Sequence, residues 1–325
     1  MSVRWRLVQI PIVLSLFAFI AWQLDLSAIR RDLGEIEPWR IAAVVTLNLP
    51  VALLFTTRSH LVLRKLGHRI RPSLLLPVAV LGNVAGAITP GSVGEVLRAD
   101  ALSSHARVDA RDGAALVLFE RAMSMYLMTL GALAAAGATW LATAPAAVSI
   151  AASAAGLVAP FIAGRMFARL ERVEVRGAGL LRRGLSRLQD LSGRLRLLLG
   201  DWRLVAAWSI QTVAIFALNT LQFWLLARGV SGSIRFEEAW IAFSLPTLIG
   251  VASLIPLGLG AFDGSVAAAF DRLGTTLEEG TVVAVVVRAA ISLPMLALAL
   301  TSYIYLARRL PRQEMQRPPA GPVAE

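Results

Sequence analysis

Two stretches decide how this sequence folds: Thr89-Pro90-Gly91-Ser92-Val93-Gly94-Glu95-Val96-Leu97-Arg98 and Ile255-Pro256-Leu257-Gly258-Leu259-Gly260-Ala261-Phe262-Asp263. Each closes an apolar run, Leu74–Thr89 and Ala239–Ile255, that falls short of the roughly 20 residues a bilayer-spanning helix needs. Proline stops a helix because it has no N–H and crowds the preceding turn. Glycine then allows the chain to reverse tightly. Pro90, Gly91 and Gly94 in the first stretch, and Pro256, Gly258 and Gly260 in the second, predict two hairpin tips. A new helix starts after each tip, beside Glu95 or Asp263. An acid there complements the positive end of the helix dipole, while free N–H groups at the same place attract an anion.

Around the tips the chain reads as membrane. It has 325 residues, 57% of them hydrophobic and 16% charged, against roughly 25% charged in soluble domains. Apolar runs at about Leu7–Leu24, Ile41–Thr57, Ala114–Leu141, Ala146–Ala163, Leu204–Ala227 and Thr281–Ala307 predict six full crossings. The predicted fold is therefore an all-α polytopic membrane protein with six transmembrane helices and two re-entrant hairpins. The net charge of +11 records sidedness rather than nucleic-acid binding. Arg4 and Arg6, the segment Arg58 to Arg71, the arginine-dense stretch 164–203 and Arg308, Arg309 and Arg312 fall on one side. The loops around Asp25 to Glu37 and Asp271 to Glu279 are net negative and fall on the other. Both termini are thus expected in the cytoplasm, with the protein in the cell membrane. Leucines at 181, 185, 188, 195 and 199 alternate with arginines, which predicts a basic amphipathic helix, either on the inner leaflet or solvated. One membrane domain over 1–310 and a Pro-rich, disordered tail over 311–325 complete the expected organisation.

The halves of this domain repeat. Trp39-Arg40 returns as Trp202-Arg203, Pro90 as Pro256 and Arg121 as Arg288, at spacings of 163, 166 and 167 residues. The repeat halves are about 39–141 and 202–307, and the charge pattern makes them inverted. Secondary transporters use such inverted repeats, with sites at interrupted helices near the midplane.

Charges inside a span are costly, so they face a protein interior or a wet cavity. Glu120 and Arg121 lie inside one span and Arg288 at a similar depth in the last. A guanidinium suits a phosphate, because its planar fork donates two hydrogen bonds at once. The same arginines also suit ion pairs that fasten the hairpins, Arg121 to Glu95 and Arg288 to Asp263. Asn83, Asn48, Arg58 and Arg98 are further polar candidates. Gly82-x-x-x-Gly86 and Gly260-x-x-x-Gly264 predict close helix approach. The chain has no cysteine and three scattered histidines, and no nucleophile stands beside a base in a recognisable motif. No enzyme activity, metal or cofactor is expected.

Asn83, Thr89-Pro90-Gly91-x-x-Gly94-Glu95, Glu120-Arg121, Pro256-x-Gly258-Leu259-Gly260-x-x-Asp263 and Arg288 together resemble the flippase-like transmembrane region of lysylphosphatidylglycerol synthases, over about residues 5–308. The sequence departs from that pattern at Phe262-Asp263, where the family usually has Arg-Glu, and at Ser124, where it often has Asp. The resemblance implies translocation of an aminoacylated phospholipid or another lipid, such as a polyprenyl-linked or hopanoid type, without the cytosolic aminoacyl-transferase domain. The expected substrate is a membrane lipid bound by Arg121, Arg288, Glu95, Glu120, Asp263, Asn83 and Arg98. A module that docks a lipid-biosynthetic enzyme through 164–203 is the second expectation. An ion-coupled transporter with proton sites at Glu95 and Glu120 is the third.

Overall fold

The computed structural model describes residues 36–89, 94–139, 160, 162, 164 and 180–309. The expected spans at 7–24 and 146–163, the tail at 311–325, and Pro90 and Gly91 lie outside the described residues, apart from 160 and 162. Every regular element among the described residues is helical. Helix α1 runs Pro38–Lys65, α2 Pro72–Ile88, α3 Glu95–Ala106, α4 Ala110–Thr139 and α5 Leu180–Leu199. The second half has α6 at Trp202–Ser231, α7 at Phe236–Ala252, a 3-10 turn at Pro256–Gly258, α8 at Ala261–Arg272 and α9 at Leu277–Val287. A π turn over Arg288–Ser292 leads without a break into α10, Leu293–Arg309.

The repeat is visible in these lengths. Helices of 28, 17, 12 and 30 residues in the first half answer helices of 30, 17 and 12 residues and the long α9–π–α10 rod in the second. Their starts lie 164, 164, 166 and 167 residues apart (Pro38 to Trp202, Pro72 to Phe236, Glu95 to Ala261, Ala110 to Leu277). Packing follows the same rule. Helix α1 packs on α2 as α6 packs on α7, and α3 on α4 as α8 on α9. The first arm of each hairpin also lies on the rod of the opposite half, α2 on α10 and α7 on α4, with α1 against α6 between them. The halves interlock rather than stand as separate bodies. Even the entry points match: Arg40 lies 4.9 Å over the Trp39 ring and Arg203 5.6 Å over Trp202.

Among the described residues, four helices are long and apolar enough to cross a membrane: Pro38–Lys65, Ala110–Leu133, Trp202–Ser231 and Leu277–Arg308. Their outer faces carry apolar side chains with nothing on them. Leu49 is 57% exposed, Ile210 70% and Leu133 62%. Such a belt is stable only in an apolar solvent, and the chain is a multi-pass membrane protein. The hairpin arms of 17 and 12 residues measure about 26 and 18 Å at 1.5 Å per residue, short of the roughly 30 Å hydrocarbon layer.

Three expectations need correction. Arg58 does not sit in a loop: α1 continues to Lys65 and buries it at 5% exposure. A guanidinium in protein interior ends an apolar run in sequence without ending the helix. The amphipathic helix α5 buries Leu195, Leu198 and Leu199 in the core formed with α4 and α6, and Arg194 pairs with Asp112 of α4. This part of its apolar stripe therefore meets protein, not a leaflet. Gly264 has open space around it instead of a close neighbour, whereas an added Cβ at Gly82 or Gly86 would strike Arg98 or Glu95 side-chain carbons within about 2.5 Å. The close seam of the first hairpin is real, and its second-half counterpart runs elsewhere, between Gly250 and Gly258.

Candidate functional site

The tips close by different chemistry. In the first, Thr89 Oγ1 accepts from the Gly94 N–H at 2.6 Å and donates to the Ala85 carbonyl at 2.8 Å, tying the end of α2 to the start of α3. In the second, Asp263 Oδ2 accepts from the Gly260 N–H at 2.8 Å. Leu254, Leu257, Gly258 and Gly260 there all have positive φ, between 54° and 78°. Glycine adopts that region freely, but leucine is strained in it. Gly258 is further constrained, since an added Cβ would stand 2.8 Å from Gly250 Cα.

Arg288 holds this strained tip. Its Nε and Nη2 donate to Asp263 Oδ1 and Oδ2 at 2.7 and 2.8 Å, a two-pronged fork, and its Nη1 donates to the Leu257 carbonyl at 3.1 Å. The guanidinium also lies 5.5 Å from the Phe262 ring centre. The π turn aims it. Pro294 has no N–H for the Ala290 carbonyl four residues earlier, so the ladder loosens and Leu293 N–H reaches back to Arg288 O. Asn48 of α1 donates to the freed Ala290 carbonyl at 3.5 Å. Single π turns within α-helices frequently mark functional sites.

Arg121 is held less firmly. Its one ion pair among the described residues is a 3.4 Å contact from Nη1 to Glu95 Oε1, and its side chain is 34% exposed. Arg121 and Arg288 each lie eleven residues past the start of their helix (Ala110 to Arg121, Leu277 to Arg288), about 16 Å along the axis. Both helices begin four residues earlier than the sequence suggested, at Ala110 and Leu277 instead of Ala114 and Thr281.

Both line one cavity of about 400 Å³ between the hairpins. Asn48, Asn83 and Glu95 line it from the first half, and Asn219, Thr247, Leu254, Leu257 and Phe262 from the second. Of the residues expected to meet a substrate, the structure brings Arg121, Arg288, Glu95 and Asn83 together there. It does not put Glu120, Arg98 or Asp263 on the lining. Asp263 stands behind, under Arg288. Glu120 and Arg98 form a buried pair at 2.6 Å, each about 5% exposed. Arg58 approaches the same carboxylate to 3.8 Å and donates to Ser124 and Thr212 at 3.2 Å each, with its guanidinium 4.5 Å over Trp208. Arg98 also donates to Ser59. Asn219 was missed by sequence reasoning because an isolated amide in a long apolar helix carries no local motif. Among the described residues no three His, Asp or Glu side chains gather as a metal site requires.

Interlocked halves, four long apolar helices among the described residues, and a cavity between the two hairpins that holds Arg121, Arg288 and Glu95 define a class: a helical membrane protein with charged side chains in its interior. The family follows from comparison with known sequences. The family model described as the lysylphosphatidylglycerol synthase TM region matches residues 6–299, and the chain belongs to that family. No curated protein matches the chain.

Proposed function

We propose that the chain moves a membrane lipid across the bilayer, with the head group passing through the cavity between the hairpins and the tails remaining in the hydrocarbon. The observation that carries this reading is the convergence of Arg121 and Arg288, one from each half, on a single cavity between the hairpins. In an apolar layer such groups persist where they face a wet interior and serve a polar cargo. The volume of about 400 Å³ suits a head group. In this account six helices cross fully, the α2–α3 and α7–α8 hairpins enter from opposite faces, and both termini are cytoplasmic. The chain works as a translocator, not as a catalyst. The test is lipid movement in proteoliposomes containing the purified chain. Arg121→Ala and Arg288→Ala are each expected to abolish movement of a fluorescent phospholipid. Wild-type rates in both variants would refute the proposal.

A further inference from the structure

Charge balance around the cavity goes further and, resting on the translocation reading, specifies the cargo. Among the described residues, the first-half cluster holds three guanidiniums, Arg58, Arg98 and Arg121, against two carboxylates, Glu95 and Glu120. Arg58 turns to neutral hydroxyls, Ser124 and Thr212, rather than to an acid of its own. The second-half pair beside the cavity is neutral, since Arg288 and Asp263 satisfy each other. Among the described residues, one buried positive charge of this cluster, on Arg58 behind the cavity lining, therefore lacks a counter-charge of its own. An uncompensated charge in a low-dielectric interior is expensive, so an anion entering the cavity gains what the protein has left unmade. The receiving group is identifiable. Arg288 commits three of its five N–H donors, one on each nitrogen, to Asp263 and Leu257, and its charge is met by Asp263. Arg121 gives one N–H to Glu95 over a long 3.4 Å contact and turns toward the cavity with its other donors available. Glu95, the one acid among the described lining residues, is already engaged with Arg121 and offers little to a cationic amine.

We infer that the cavity selects lipids with an anionic phosphate head group, bound at Arg121 with the Asn83 amide nearby, and disfavours head groups of net positive charge. The discriminating experiment compares three acyl-labelled lipids in proteoliposomes of the full chain: phosphatidylglycerol, zwitterionic phosphatidylcholine and net-positive lysylphosphatidylglycerol. Phosphatidylglycerol is expected to move about tenfold or more faster than lysylphosphatidylglycerol, the scale of one charge interaction in a partly buried site. Arg121→Gln should bring phosphatidylglycerol movement down to that of protein-free liposomes, and Glu95→Gln, which changes the charge in the opposite direction, should widen the preference over lysylphosphatidylglycerol. Equal or faster movement of the net-positive lipid, or the same effect from both substitutions, overturns the charge preference and leaves translocation standing. Movement of none of the three lipids overturns translocation itself. A competition arm separates a lipid from a soluble phosphate ester: sn-glycerol 3-phosphate should not slow phosphatidylglycerol movement at matched concentration. Full competition would assign the site to the soluble ester instead.

Discussion

The two hairpins share lengths, packing and position, yet their tips are built to different tolerances. The second tip is tied by a forked Arg288–Asp263 pair and a third bond to the Leu257 carbonyl, and that tie holds two leucines in positive φ. Among the described residues, which leave out 90–93, the first tip is tied by the Thr89 hydroxyl and a loose Arg121–Glu95 contact, backed by a charge cluster with one cation in excess. The second-half arginine is thus bound into its tip, while the first-half arginine, 34% exposed, is held more loosely beside the same cavity.

The comparison can be broken most directly at the buried cluster. Glu120→Ala strands Arg98 and Arg58 without their shared carboxylate, and removing one member of a buried pair costs about 3–5 kcal/mol. Thermal unfolding in detergent should show a large loss, or the chain should fail to accumulate. Next comes the contrast of the two repeat-related arginines. Arg288→Gln dismantles the fork and should cost about 3 kcal/mol. Arg121→Gln gives up one long, partly exposed contact and should stay within about 1 kcal/mol, although it removes the proposed cargo site. Equal destabilisation by both would erase the distinction between tied and available tips.

Two glycines sharpen it further. Gly258→Ala adds a Cβ 2.8 Å from Gly250 Cα at φ +61° and should cost about 1–3 kcal/mol. Gly264→Ala, with nothing within 4 Å of the added Cβ at the end of the first turn of α8, should gain up to about 1 kcal/mol from helix propensity. The smallest effect lies at the seam between halves, where Lys65 at the end of α1 meets Asp201 before α6 at 2.6 Å. The Lys65 hydrogen bond, with the Leu204 N–H beside it, holds the Asp201 carboxyl below the usual carboxylate range. This stabilisation is present above the unfolded value near 3.9 and is lost as pH falls through the lower folded value. Asp201→Asn should flatten unfolding midpoints slightly in that acid window and leave neutral stability changed by under about 1 kcal/mol.

Much of this was legible in the sequence because its signals are local. Proline and glycine mark both tips, an arginine inside an apolar run marks each rod, and the spacing of matching residues exposes the repeat. Both hairpin ion pairs, Arg121 with Glu95 and Arg288 with Asp263, follow from those signals. What stayed hidden is non-local. Arg58 reaches Thr212 across 154 residues, and in sequence it looks like the end of a span. The Arg98–Glu120 pair joins two helices whose relative rotation no periodicity specifies. Helix α5 shows one apolar stripe whether it lies on lipid or protein, so burial of Leu195, Leu198 and Leu199 had to be seen. The π turn also needed coordinates, since Pro294 announces a lost hydrogen bond but not how the helix absorbs it.

The central claim is that lipid passes between the hairpins, and the absence of native cysteine allows a direct test. Asn83 and Thr247 line the cavity from opposite hairpins. With both replaced by cysteine and joined by a reducible bis-methanethiosulfonate linker, lipid movement in proteoliposomes should stop, and reduction should restore it. Undiminished movement through a fully cross-linked protein would contradict the account.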